Sequence, residues 1–399
     1  MKVNIKYNIL KILSSNVISA LFAFSVSIIL IRTQSQTVAG EVLTFYSYLL
    51  VFAALVEFGS GNSFIVLASQ DNNKRKLIIY FITIITLISC VFSIFVISFG
   101  EYEFHYEVIL GGYIYAIVRL FLAAFQSAGL YTLYSSINVL LNLLRLLSVA
   151  LVAYLWTEDI SQSITLFFVF SILFSLIFAT YNLKKKNVIA QDNNPCVSMW
   201  NTISISKNYA LINILTIIMM RGEPILISNF LSIENVAIYN AANSIAMMVP
   251  LFTTAVLSVF LPEIANKNID YSDICKIQKK LIPFIFLSIV MVWFLSDYIV
   301  ILLYGNTLIE SSSILVYLMS CYLVGTYFTP FESYVMIYKS YYSVFTRILQ
   351  FIIYLSVFFI FFENHGLMAL VYAVIFCRLL TWLYILYLSN RISKENKYD

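Results

Sequence analysis

Apolar stretches of about 20 residues follow one another along almost the whole of this chain, with only short polar connections between them. That is the length an α-helix needs to cross the hydrocarbon core of a bilayer. Of the 399 residues, 11% are charged, against about 25% in a soluble domain. The polar surface is too small to keep a water-exposed globule in solution. The spacing predicts twelve membrane helices, at about 12–32, 39–58, 77–98, 107–127, 132–155, 163–182, 207–231, 236–261, 281–303, 312–335, 342–362 and 367–389. Twelve spans take up most of the length and leave no room for a water-soluble catalytic domain. The apolar run behind Lys2, Lys6 and Lys11 is too long for a cleaved signal and reads as a retained first helix.

Charge placement sets the expected orientation. Lys2, Lys6, Lys11, Lys74, Arg75, Lys76, Lys184, Lys185, Lys186, Lys207, Lys267, Lys276, Lys279, Lys280, Lys339, Arg391, Lys394 and Lys397 all fall on one side of the twelve-span topology. The opposite connections carry acids, among them Glu101, Glu103, Glu158, Asp159, Glu310 and Glu363. The positive-inside rule then puts both termini in the cytoplasm. The longest connection, 183–206, separates a six-helix segment at 1–182 from another at 207–399. Six is even, so the two bundles are expected to be parallel, related by an axis along the membrane normal.

Six basic residues remain within or at the edges of spans: Arg32, Arg119, Arg145, Arg221, Arg347 and Arg378. All are arginine. Those near mid-span, Arg119, Arg145, Arg221 and Arg378, carry a nominal insertion cost of roughly 10–14 kcal/mol in total. Such groups need a wet cavity or a partner, and the planar guanidinium suits bidentate recognition of phosphate or carboxylate. Helical spacing adds polar stripes: Ser135, Asn138, Asn142, Arg145 and Ser148; Gly112, Tyr115, Arg119 and Gln126; Ser343, Arg347, Gln350 and Tyr354; and a shared face of Asn240, Asn243, Met247 and Pro250. Together they suggest a hydrated cleft. The same polar residues also serve as interhelical glue, and the acids Glu41, Glu57, Glu223, Asp297 and Glu332 are available to pair with the arginines. Pro224, Pro250 and Pro330 are expected to distort their helices.

Other chemistry is not indicated. The cysteines Cys90, Cys196, Cys275, Cys321 and Cys377 lack metal-type spacing, and the only histidines, His105 and His365, stand in outside connections. There is no Walker loop, no Ser/His/Asp set and no dense basic stripe for nucleic acid. Neither an enzyme nor a bound cofactor or metal is expected.

Several segments together carry a resemblance. Arg221-Gly222-Glu223 is followed by the 225–231 run, then Val236-Ala237-Ile238-Tyr239-Asn240-Ala241-Ala242, then Phe260-Leu261-Pro262-Glu263-Ile264-Ala265. Gly40, Glu57-Phe58-Gly59 and Asn62-Ser63 are their first-half counterpart. With twelve helices in this order, the chain resembles the O-antigen repeat-unit flippases (Wzx type) of the multidrug/oligosaccharidyl-lipid/polysaccharide (MOP) exporter superfamily. The family often has glycine where Ala237 stands and aspartate where Glu223 stands. The resemblance implies an all-α polytopic fold of two parallel six-helix bundles in the bacterial inner membrane. It also implies an oligosaccharide on undecaprenyl pyrophosphate as substrate, with membrane lipid around the protein, and a polysaccharide polymerase and chain-length regulator as partners. The six arginines would bind pyrophosphate, Asn138, Asn142, Asn240 and Asn243 would contact sugar, and Glu57, Glu223, Asp297 or Glu332 would couple transport to protons or sodium. A drug antiporter of the same fold is the alternative, and a membrane polymerase a more remote one.

Overall fold

The computed structural model describes residues 5–70, 74–99, 104–155, 159–186, 198–250, 264 and 270–395. Among them there is no strand. The helices are α1 (Ile5–Thr33), α2 (Gln36–Glu57), α3 (Ser60–Gln70), α4 (Lys74–Phe99), α5 (His105–Ser127), α6 (Tyr131–Leu155), α7 (Ile160–Lys185), α8 (Met199–Arg221), α9 (Glu223–Phe230), α10 (Ile233–Ala246), α11 (Tyr271–Tyr304), α12 (Ser311–Tyr338), α13 (Ser340–His365) and α14 (Met368–Glu395). Eleven described spans are long and apolar enough to cross a membrane, so the protein is a multi-pass membrane protein. The expected seventh span, 207–231, instead begins at Met199 and is broken at Gly222. Of the expected eighth, 236–261, α10 covers the part up to Ala246, and 251–261 lie outside the described residues. So do 187–197 of the 183–206 connection, whose last residues, 198–206, form the cap and start of α8.

Two compact units divide the chain, Met1–Ser228 and Asn229–Asp399. The division falls inside α9, later than the 183–206 connection. It does so because α8 packs on α2 and α3 within the first unit. Inside that unit α5 is central and packs on α2, α3, α4, α6 and α7, while α6 also packs on α7 and α1. The second unit repeats the pattern. Its α12 packs on α10, α11, α13 and α14, and α13 packs on α14. Where α1 lies on α6 in the first unit, Phe230 lies edge-on to Phe358, Phe359 and Phe362 of α13 in the second.

Local signals explain the helix ends. Ser35, Ser198 and Ser232 each accept a backbone N–H of the first turn, from Val38, Asn201 and Asn235, which satisfies donors that a helix start leaves open. The expected distortion before Pro224 is present as a break at Gly222 between α8 and α9. Pro330 differs from expectation: α12 runs through it unbroken, its missing N–H tolerated within a packed membrane helix.

The second span also differs. Its apolar run ends near residue 58, but the chain only breaks there and resumes as α3. Phe58 and Gly59 both adopt left-handed backbone (φ 46° and 68°), and the Glu57 carboxylate then accepts the Gly61 N–H at 3.3 Å, capping the new helix. Gly59 is also a point of close approach. A β-carbon there would lie 2.5 Å from the Ala210 nitrogen of α8. Gly59→Ala should therefore destabilise by about 3 kcal/mol or more, left-handed strain adding to a backbone clash. Gly129→Ala, also at positive φ but with open space around it, should cost only about 1–2 kcal/mol. Thermal unfolding of the detergent-solubilised variants checks the order, and equal losses would show that α8 yields at this contact.

Candidate functional site

In the first unit, five helices bring charged and aromatic side chains together. Tyr46 comes from α2, Tyr115 and Arg119 from α5, Arg145 from α6, Phe168 from α7 and Arg221 from the last turn of α8. Spacing explains why Tyr46 and Glu57 share a face of α2: they are eleven residues apart, about three turns. The Arg145 guanidinium carbon lies 3.5 Å from the Tyr46 ring centroid and 4.8 Å from that of Phe168. Arg221 approaches the same Tyr46 ring at 5.8 Å. Tyr46 is itself held edge-to-face by Phe168, 5.1 Å between centroids. Tyr115 stands one turn before Arg119 on the same face of α5.

The charges in this cluster do not cancel. Arg119 has one acidic neighbour among the described residues, Glu57, with its Nε 3.6 Å from the carboxylate. Glu57 is also engaged in capping α3, and the Arg119 side chain is still 47% exposed. Arg145 is 6% exposed, and its Nε has no hydrogen-bond partner among the described residues. Nor does either Arg145 or Arg221 form an ion pair among them. A cation–π contact contributes about 0.5–2 kcal/mol, whereas an arginine at mid-membrane costs about 2.5–3.5 kcal/mol or more. The ring contacts offset much of that cost without cancelling any charge, so an anion arriving here meets charge that is not already neutralised. Arg145 also lines a small, otherwise apolar hollow with Val26, Leu30, Leu43, Tyr46 and Phe168.

The second unit pairs one cation more closely with an acid and stacks another on a ring. Arg347 pairs with Glu332 and donates to Gln350 at 3.1 Å. Arg378 stacks on Tyr322, 4.4 Å from the ring centroid, and the Tyr322 hydroxyl donates to Asn243 at 3.4 Å. Gly325 makes room for the neighbouring ring of Trp382, which a β-carbon would approach to 3.1 Å, and Trp382 stacks parallel on Phe328.

The remaining expected site residues are dispersed. Arg32 is exposed at the end of α1. Asn138 donates to Asn16 of α1, and Asn142 to the Asn138 carbonyl, while Ser148 meets Ser171 of α7. Asn138 and Ser148 of the α6 stripe thus join helices, Asn142 bonds within its own, and Arg145 is the member directed to the aromatic cluster. Asn240 donates to its own helix at Val236. Glu223 is buried at the start of α9. Asp297 is exposed on α11 beside exposed Trp293, Phe294 and Tyr298, and it has no ion pair among the described residues. Sequence reasoning missed Tyr46. Its position on the Glu57 face was the available signal, but one tyrosine among 29 does not stand out. No group of three or more potential metal ligands occurs among the described residues.

No protein-family model matches the chain, and no curated protein matches it in sequence. Solved structures do. The lipid II flippase MurJ in an inward closed conformation superposes with a TM-score of 0.74 at 15% identity, covering 94% of this chain and 86% of that one. An inward-facing multidrug resistance MATE family transporter of the MOP superfamily gives 0.71 at 14%, covering 94% and 96%. A mutant of the Vibrio cholerae MATE transporter VcmN gives 0.60 at 10%, covering 98% and 94%. The chain has the fold of the MOP-superfamily transporters. Within that fold, the contrast between the two units is testable. Arg347 and Glu332 are each about one-third exposed, so a double-mutant cycle with Arg347→Ala and Glu332→Ala should return a coupling of about 1 kcal/mol. The same cycle on Arg119 and Glu57, whose contact is longer, should return less, and a larger value there would show that Glu57 fully engages Arg119.

Proposed function

We propose that this protein is a flippase for undecaprenyl-pyrophosphate-linked oligosaccharide repeat units, of the kind used for O-antigen or a related surface polysaccharide. The observation that carries the reading is the first-unit cluster, where Arg145 and Arg221 lack acidic partners among the described residues and Arg119 is held by a single long contact. A pyrophosphate bears enough charge and oxygen atoms to engage several guanidiniums at once. The isoprenoid tail stays in the bilayer while the head group crosses. In this reading Asn240 and Asn243 contact sugar in the second unit, together with Arg378. Arg32, Arg347, Asn138 and Asn142 act at the periphery.

Transport proceeds by alternating access in the bacterial inner membrane, with both termini cytoplasmic. The protein supplies repeat units to a polysaccharide polymerase and its chain-length regulator. Coupling to protons or sodium falls to one of Glu57, Glu223, Asp297 and Glu332, and Glu57 is favoured because it touches an arginine of the anion cluster. The likeness to MATE transporters supports a second reading, export of small molecules in exchange for an ion. A surplus of arginine in the cluster favours an anionic cargo over a cationic drug.

Deleting the gene in its host and locating lipid-linked repeats decides between them. Accumulation on the cytoplasmic face with loss of long surface chains is expected, and Arg145→Ala and Arg119→Ala should fail to restore the chains although they insert at normal levels. Normal surface glycan in the deletion strain, with lowered efflux of dyes, would instead establish the antiporter.

A further inference from the structure

We infer that Tyr46 is a positioning residue that holds Arg145 and Arg221 as an uncancelled cation pair selective for a diphosphate over a single phosphate. The inference rests on the anion-binding reading above and assigns a role to a side chain outside its set of arginines.

A buried guanidinium can be held in two ways. A carboxylate grips its N–H edge, occupies donors and cancels the charge, as Glu332 does for Arg347. An aromatic ring lies against its flat face and leaves the charge and edge donors available. Tyr46 does the second, 3.5 Å from the Arg145 guanidinium carbon. The Arg145 Nε, buried and without a hydrogen-bond partner among the described residues, is donor capacity that this arrangement leaves open.

The same ring also serves Arg221, at 5.8 Å. The two distances together cap the separation of the guanidinium carbons at about 9 Å. Two cations from different helices, α6 and α8, are thus kept near one another, and neither forms an ion pair among the described residues. Like charges held this way repel, so their geometry depends on the ring and on Phe168, which packs against its edge. A ligand that bridges them must carry anionic oxygens on two linked centres. A diphosphate has this form, whereas a monophosphate satisfies one arginine and leaves the other as it was.

The test measures binding of farnesyl diphosphate and farnesyl monophosphate to the purified full-length protein in nanodiscs. Wild type should prefer the diphosphate. Tyr46→Phe, which keeps the ring face, should retain both the affinity and the preference. Tyr46→Leu should weaken diphosphate binding about tenfold, the scale of one lost cation–π contact, with little change for the monophosphate. Tyr46→Met, also ringless, serves if the leucine variant is not recovered. Adding Tyr46→Leu to Arg145→Ala should weaken binding less than Tyr46→Leu does alone, because Arg145 is the nearer of the two arginines that the ring holds.

A general packing defect would lower both affinities together and leave the preference intact, and that result would overturn the proposal. So would a ringless variant that binds as wild type while Arg145→Ala and Arg221→Ala lose the diphosphate. In that case the anion-binding reading stands and only the role of Tyr46 falls. If wild type itself binds neither farnesyl compound, and the arginine variants match it, both fall.

Discussion

An arginine inside a membrane helix has to be compensated by something, and the choice of compensation organises this molecule. Water, acid and aromatic faces are the available options. In the first unit the aromatic face predominates: Tyr46 and Phe168 enclose Arg145, and Tyr46 also meets Arg221. In the second unit an acid compensates Arg347 and a ring compensates Arg378. Five helices must be held in register for the first arrangement to exist. The helix breaks, caps and small-residue notches can be understood as the means of holding them. Gly111 and Gly112 of α5 let Leu49 and Phe52 of α2 approach so closely that a β-carbon at either would fall within 2.7 Å of them, and this seats the Arg119-bearing helix against the one that carries Tyr46 and Glu57.

Much of the fold was legible in the sequence because hydropathy is a local, additive property. Most described membrane spans lie where their apolar runs predict, although the seventh, expected at 207–231, begins at Met199 and breaks at Gly222. The arginine set was equally visible, since charge in an apolar run is conspicuous. What escaped was whatever depends on a backbone conformation or on a neighbour distant in sequence. The second span resumes after Glu57 as α3 because two consecutive residues turn left-handed and a carboxylate caps the restart, and only the Gly59 position hinted at this. Asn138 shares a stripe with Arg145, and spacing alone gives no means of telling a side chain directed at a cleft from one directed at Asn16. The role of Tyr46 belongs to the same class, because a cation–π contact has no sequence signature.

The division of the chain is a further case. Counting spans places it after the sixth, whereas the compact units part within α9, because Gly59 brings the backbone of α8 against the first unit. Covalent order and packing order need not agree, and a helix joins the group that offers it the closest surface. The amide contact between Asn62 and Asn213, 3.4 Å, adds to the same attachment.

The two units pair their helices in the same pattern, α5 and α12 each at the centre with matching neighbours, although their sequences show only a faint echo. Apolar packing and small-residue notches suffice to specify that pattern, so the polar side chains were free to change independently in each half. A duplicated six-helix element could in this way keep one architecture while its copies diverged in chemistry. Each unit holds one arginine against an acid and another on an aromatic ring, and the first adds Arg221 to the ring that already holds Arg145, with no change of topology needed for the difference.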